Sequence, residues 1–173
     1  IKSHLSKITQ KEYVIEYGSS IGVISNTLGL KHSNVFGIDT SFSALLEAKR
    51  NSQKNCEYVL SDVLLHPFGK KKFDLIIALN LFELVEPLSL LNTISSQIRN
   101  GTIFLSDPYD YDRGKNSVKH PLNEKQIRKT LHQKNFVITK TTKVPSNITW
   151  NLKINDRTNL IYKVDIIRAR KSS

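Results

Sequence analysis

With 173 residues, 26 Lys and Arg against 15 Asp and Glu, and a net charge of +11, the chain has the length of a single domain able to bury a real core. Its one cysteine, Cys56, excludes a disulfide framework, and without Cys/His clustering no metal site is expected. The longest apolar runs are strand-length, short of the roughly 20 residues of a spanning helix, and Ile1–Leu5 has no signal-peptide core, so a cytoplasmic protein without a membrane segment is expected.

A helical pattern over 3–11 opens the chain. Tyr13-Val14-Ile15 is then an apolar run ending in Glu16 and breaking into Tyr17-Gly18-Ser19-Ser20-Ile21-Gly22, where Gly18 and Gly22 allow a sharp turn and close backbone approach. Ser20 onward reads as the first turn of a helix over 20–30, with Ile21, Ile24 and Leu28 on one face. A strand, a tight loop and a helix N-terminus together make a nucleotide-type site. About twenty residues later Val35-Phe36-Gly37-Ile38 ends in Asp39, a carboxylate able to accept both hydroxyls of a ribose. After a helix over 41–53, Tyr58-Val59-Leu60 leads to Ser61-Asp62, and the run from Phe73 to Leu79 leads to Asn80. Ends of parallel strands line one sheet edge, so Glu16, Asp39, Asp62 and Asn80 are expected to converge on one ligand.

A helix over 87–98 and the strand-like Thr102-Ile103-Phe104-Leu105 follow. The stretch from Asp107 to Leu122 lacks strong periodicity and reads as a functional loop or lid. Asn123 and Gln126 have capping-box spacing at the start of a helix over 123–134. Two β-like runs, 136–142 and 160–167, close the chain with no helix pattern between them, so they are expected to pair antiparallel. Helices alternating with strands argue for one α/β domain with helices on both sheet faces. No methionine occurs, even at position 1, as in a fragment or processed product, or in a sequence whose modified methionines are missing and whose spacings are slightly short.

From about Tyr13 to Lys171 the sequence resembles the class I S-adenosylmethionine-dependent methyltransferases. Glu16 to Gly22 matches their acid-x-Gly-x-Gly-x-Gly loop, with Ser20 in place of the middle glycine. The resemblance implies that Glu16, Tyr17, Gly18, Ser19, Ser20 and Gly22 contact the methionine part of the cofactor. It implies that Asp39, with Thr40 and Ser41, holds the ribose, and that Ser61-Asp62-Val63 lies beside the adenine. Asn80-Leu81 sits where the family's fourth strand opens onto the reacting methyl group. The fold implied is a doubly wound, seven-stranded, mostly parallel sheet in one Rossmann-like domain over 1–173. The run at 160–168 would be its antiparallel strand, between strand five and the run at 136–142. A nicotinamide dinucleotide is the rival ligand, but Gly18 and Gly22 lack Gly-x-Gly-x-x-Gly spacing, and the chain has no room for a separate substrate domain.

Ser106-Asp107-Pro108-Tyr109-Asp110-Tyr111 is similar to the Asp/Asn-Pro-Pro-Tyr segment of amino-group methyltransferases, with one proline and after the fifth strand instead of the fourth. That likeness makes Asp107 a candidate for substrate orientation or proton acceptance. Tyr109 and Tyr111 become candidates for an aromatic face against a sulfonium or a substrate ring. The same residues read equally well as a turn with packed tyrosines. His120 reads as a solvated loop histidine. Residues 1–110 carry eleven Lys/Arg and eleven Asp/Glu, while 111–173 carry fifteen against four. This basic final third points to an anionic acceptor such as RNA, although 19 Lys against 7 Arg fits a compositional bias equally. Two functions stay open: a methyltransferase acting on RNA, protein or a small metabolite, and a non-catalytic domain of the same fold docking an acidic partner.

Overall fold

The computed structural model describes residues 2–112 and 114–172; Ile1, Arg113 and Ser173, which the expected domain limits and the Asp107 to Leu122 loop include, lie outside the described residues. Tyr13–Tyr17 (β1), Asn34–Asp39 (β2), Cys56–Leu60 (β3), Phe73–Leu79 (β4) and Ile98–Asp107 (β5) form strands, rich in the β-branched and aromatic residues that a covered sheet favours. They run parallel in the order β3-β2-β1-β4-β5. The direction of winding therefore reverses between β1 and β4, where the ends of neighbouring strands leave a crevice. Phe136–Ile138 (β6) and Thr158–Lys171 (β8) complete the sheet. As expected, β8 lies between β5 and β6 and is antiparallel to both.

Alternation of side chains divides the core. Ile15, Tyr17, Ile76, Ala78, Ile103, Leu105 and Ile167 pack on one face with Leu90, Leu91, Ile94, Ile127 and Leu131, which belong to the helices Pro87–Gln97 (α4) and Glu124–Gln133 (α5). Val14, Val35, Leu75, Ile77, Phe104 and Ile166 pack on the other with Leu5 and Leu28, from Lys2–Leu5 (α1) and Val23–Gly29 (α2). The helix Phe42–Arg50 (α3) covers β2 and β3. The Asn123 side chain accepts the Lys125 and Gln126 N–H groups while Gln126 accepts from the Asn123 N–H, the capping box that the spacing requires.

Four local expectations are corrected. The opening helix stops at Leu5 instead of continuing to 11. The helix expected from Ser20 begins at Val23, because Ser20 (φ 47°) and Gly22 (φ 76°) take left-handed conformations that keep the loop open; Ile21 is consequently exposed instead of facing the core. The run at 136–142 is a strand only to Ile138 and then a 3-10 turn over Lys140–Thr142. The sheet also gains an eighth strand, Ile148–Asn155 (β7), which pairs only with the first half of β8 and makes an exposed hairpin.

Candidate active site

The crevice at the switch point is a cleft of about 230 Å³. Gly18 enters it from the β1 loop, Asp39 and Thr40 from the end of β2, Ser61, Asp62 and Val63 from the end of β3, and Leu81 from the segment after β4. All of these were expected at the site. Leu84 and Val85 also line it, and nothing in their spacing singled them out, since they read as part of the lead-in to α4.

Close backbone packing shapes the cleft. The Gly18 and Ser19 N–H groups donate to the Ile38 carbonyl at 2.8 and 3.0 Å, which ties the β1 loop to β2. A Cβ on Gly18, at φ +71°, would stand 2.8 Å from Leu81 Cδ2, so only glycine fits between the two strand ends. Asp39 is held at the mouth by the Ser20 N–H on Oδ2 at 2.8 Å and the Ser41 N–H on Oδ1 at 2.9 Å. An ionised carboxylate has about four acceptor positions, so each oxygen keeps capacity for a hydroxyl. The Ser20 N–H bond also offsets the left-handed backbone that Ser20 adopts where the family pattern has glycine. Ser41 additionally caps α3 through the Ala44 N–H. The Ser19 hydroxyl is buried without a protein partner, over Gly37 of β2, and does not line the cleft.

The remaining expected contacts divide by strand parity. The Glu16 side chain points under α2, where Ser25 Oγ donates to it at 2.5 Å. Burial pushes its carboxyl up to about 8, against the lowering effect of that hydrogen bond. Tyr17 faces the opposite side, its hydroxyl bonded to Gln97, so it can offer the cleft only its backbone. Gly22 makes room for Tyr58 and Ala48 and does not line the cleft. Asn80, at φ 54°, lines a different cavity together with Leu79.

Asp107 and Tyr109 are committed to the frame behind the site, and neither lines either cavity. Asp107 is 1% exposed, and its oxygens accept the Phe82 and Tyr109 N–H groups at 2.9 and 2.8 Å; burial raises its carboxyl to about 7. The Tyr109 ring stacks on Phe82 and its hydroxyl donates to Asp165. The sequence left a substrate role and a turn with packed tyrosines equally open for these residues, and their hydrogen bonds and ring contacts are those of the turn. Asp107→Ala should cost about 1–3 kcal/mol in chemical denaturation because two inward N–H groups lose their acceptor; a neutral result would show the carboxylate to be structurally idle. The rest of the loop is anchored too: Tyr111 donates to the Leu122 carbonyl, and the Lys119 and His120 N–H groups donate to Glu86.

The basic final third does not gather at the cleft. Arg128 is buried against Asp165, Lys171 bonds Ser95 and the Lys134 carbonyl, and Arg168 and Arg170 lie with Lys11 and Asn100 at the opposite end of the strands. Among the described residues no Lys or Arg lines the cleft. Among the described residues no helix is long and apolar enough to cross a membrane, and no cluster of metal-ligand side chains occurs.

The chain belongs to the methyltransferase domain family, whose model matches residues 8–163, and it has the class I, Rossmann-like fold. A sequence comparison with curated proteins gives no match. Among solved structures, it is similar to magnesium protoporphyrin IX methyltransferase from Synechocystis PCC 6803 with bound S-adenosylmethionine, at 19% identity and TM-score 0.67 over 99% of this chain and 74% of that one. It is also similar to N-methyltransferase NodS from Bradyrhizobium japonicum WM9 (13%, TM-score 0.70, 99% and 91% covered). A third is an S-adenosylmethionine-dependent methyltransferase from Mesorhizobium loti (15%, TM-score 0.69, 95% and 93% covered).

Proposed function

We propose that the protein is an S-adenosylmethionine-dependent methyltransferase. In this reading Asp39 and Thr40 hold the ribose, Ser61, Asp62 and Val63 flank the adenine, and the loop from Glu16 to Gly22 follows the methionine part. When bound, the cofactor would supply an electrophilic sulfonium methyl group for transfer to the acceptor's lone pair. The protein's part is alignment and exclusion of water. Leu81, Leu84 and Val85 supply an apolar wall, and Asp107 acts as a positioning residue by fixing the Phe82 N–H just beyond Leu81.

The observation that carries this reading is Asp39, a carboxylate fixed by two backbone donors on the edge of a cleft at the switch point. Asp39→Ala should weaken S-adenosylmethionine binding by about 1–3 kcal/mol through lost charged hydrogen bonds, measured by calorimetry; unchanged affinity would remove the cofactor from this cleft. The docking-subunit reading has no observation in its favour: among the described residues no Lys or Arg lines the cleft, and Arg128 and Lys171 are used internally.

A further inference from the structure

A second cavity, of about 700 Å³, adjoins the cofactor cleft. Its walls are Val23 and Ile24 of α2, Leu79 at the end of β4, and Ile148, Trp150 and Val164 of the hairpin. The two hollows are separated by consecutive residues, because Asn80 lines this cavity and Leu81 the cleft. None of the described residues lining it is Lys, Arg, Asp or Glu. Trp150 stacks on Tyr162 with ring centroids 5.4 Å apart and 28° between planes, which presents a flat aromatic wall. The pairing of Ser106 with Leu79 and Ile166 puts it on the same sheet face as those two lining residues, with its buried hydroxyl unpartnered.

We propose that this cavity is the acceptor site and that it takes an uncharged small molecule built on a flat apolar ring, with the atom to be methylated at the Asn80 end. The inference rests on the methyltransferase reading. Its volume lies within the range of small-molecule pockets, about 300–1,000 Å³, and among the described residues no Lys or Arg lines it for a phosphate-rich acceptor, the Lys163 ammonium being engaged by the Thr149 hydroxyl. A nearly charge-free wall rewards an apolar ring by desolvation and rejects an anion, whose lost hydration nothing replaces. Asn80, Ser3 and Thr149 are the polar residues on its wall that can orient a heteroatom.

Trp150 is the only tryptophan in the chain, so its emission reports occupancy of the cavity. With S-adenosylhomocysteine bound, titration with neutral 4-nitrobenzyl alcohol should quench Trp150 saturably, while uridine monophosphate and a short RNA should not. Ile148→Glu, at a half-exposed position that tolerates charge, should weaken the neutral probe by at least about tenfold and leave calorimetric S-adenosylhomocysteine binding unchanged. Saturable quenching by the RNA or the nucleotide alone, or equal probe affinity in Ile148→Glu, would overturn the proposal. So would emission that responds to protein concentration but not to the probe, which would make a second copy the occupant. Probe binding without any S-adenosylhomocysteine binding would instead defeat the methyltransferase reading, and with it the cavity's assignment to an acceptor.

Discussion

Asp165→Ala should destabilise the fold by about 3–5 kcal/mol, the usual cost of leaving one member of a buried ion pair without its partner. Arg128 Nη1 and Nη2 reach Asp165 at 2.6 and 2.9 Å, and the two side chains are 9% and 2% exposed. The same guanidinium donates to the Thr142, Lys143, Val144 and Glu124 carbonyls, and Asp165 also accepts from the Ser146 N–H and the Tyr109 hydroxyl. One pair thus joins α5, the turn after β6, the start of the hairpin and the loop after β5. Against a total stability of about 5–15 kcal/mol, losing it should move a urea midpoint far. Arg128→Met combined with Asp165→Leu should cost less than the two single variants added together, since the charge left alone is then gone. Additive losses would mean that the two side chains do not act as a pair.

Glu16→Gln should remove a fall of stability with pH. The Glu16 carboxyl is raised by burial from an ordinary 4.5 to about 8, so between those values the native state keeps a proton that the unfolded chain has lost. Stability from this group is therefore full below 4.5 and lost as pH rises through 8, at about 1.4 kcal/mol per unit. Glutamine stays neutral and still accepts from Ser25 Oγ. Asp107, raised to about 7 by burial, adds a slope of the same sign at lower pH. Because Glu16→Gln keeps the Asp107 slope, the difference between the two proteins isolates Glu16: as pH rises toward 8 the parent midpoint should fall more steeply than that of Glu16→Gln. Parallel curves would place an ionised Glu16 in the native state.

The parts of the site legible in the sequence are those encoded by an apolar run and its terminal residue. Glu16, Asp39, Asp62 and Asn80 each lie within two residues of a strand's last residue, and topology brings those ends to one edge. Side-chain direction is harder to read, because neighbours in a strand face opposite ways. Glu16 and Tyr17, both expected at the cofactor, turn to α2 and to Gln97. Ser20 hides the left-handed turn that delays α2, since a glycine would have marked it and serine does not. Asp107 and Tyr109 take their roles from Phe82 and Asp165, partners 25 and 56 residues away, which no local motif shows. β7 carries a period-two signal in Ile148, Trp150, Leu152 and Ile154, but its exposed, polar-interrupted run does not resemble the continuous strands of the buried sheet. The excess charge of 111–173 is real in sequence, but part of it is used inside the fold: Arg128 is buried against Asp165, and Lys171 bonds Ser95 and the Lys134 carbonyl.

The central claim, that the switch-point cleft holds S-adenosylmethionine, is tested most directly by calorimetric titration of the protein with S-adenosylmethionine and, separately, with NAD. The account predicts saturable one-to-one binding of S-adenosylmethionine, weakened by Asp39→Ala, and no binding of NAD. Binding of NAD, or no heat and no competition from S-adenosylmethionine at any concentration, would contradict it.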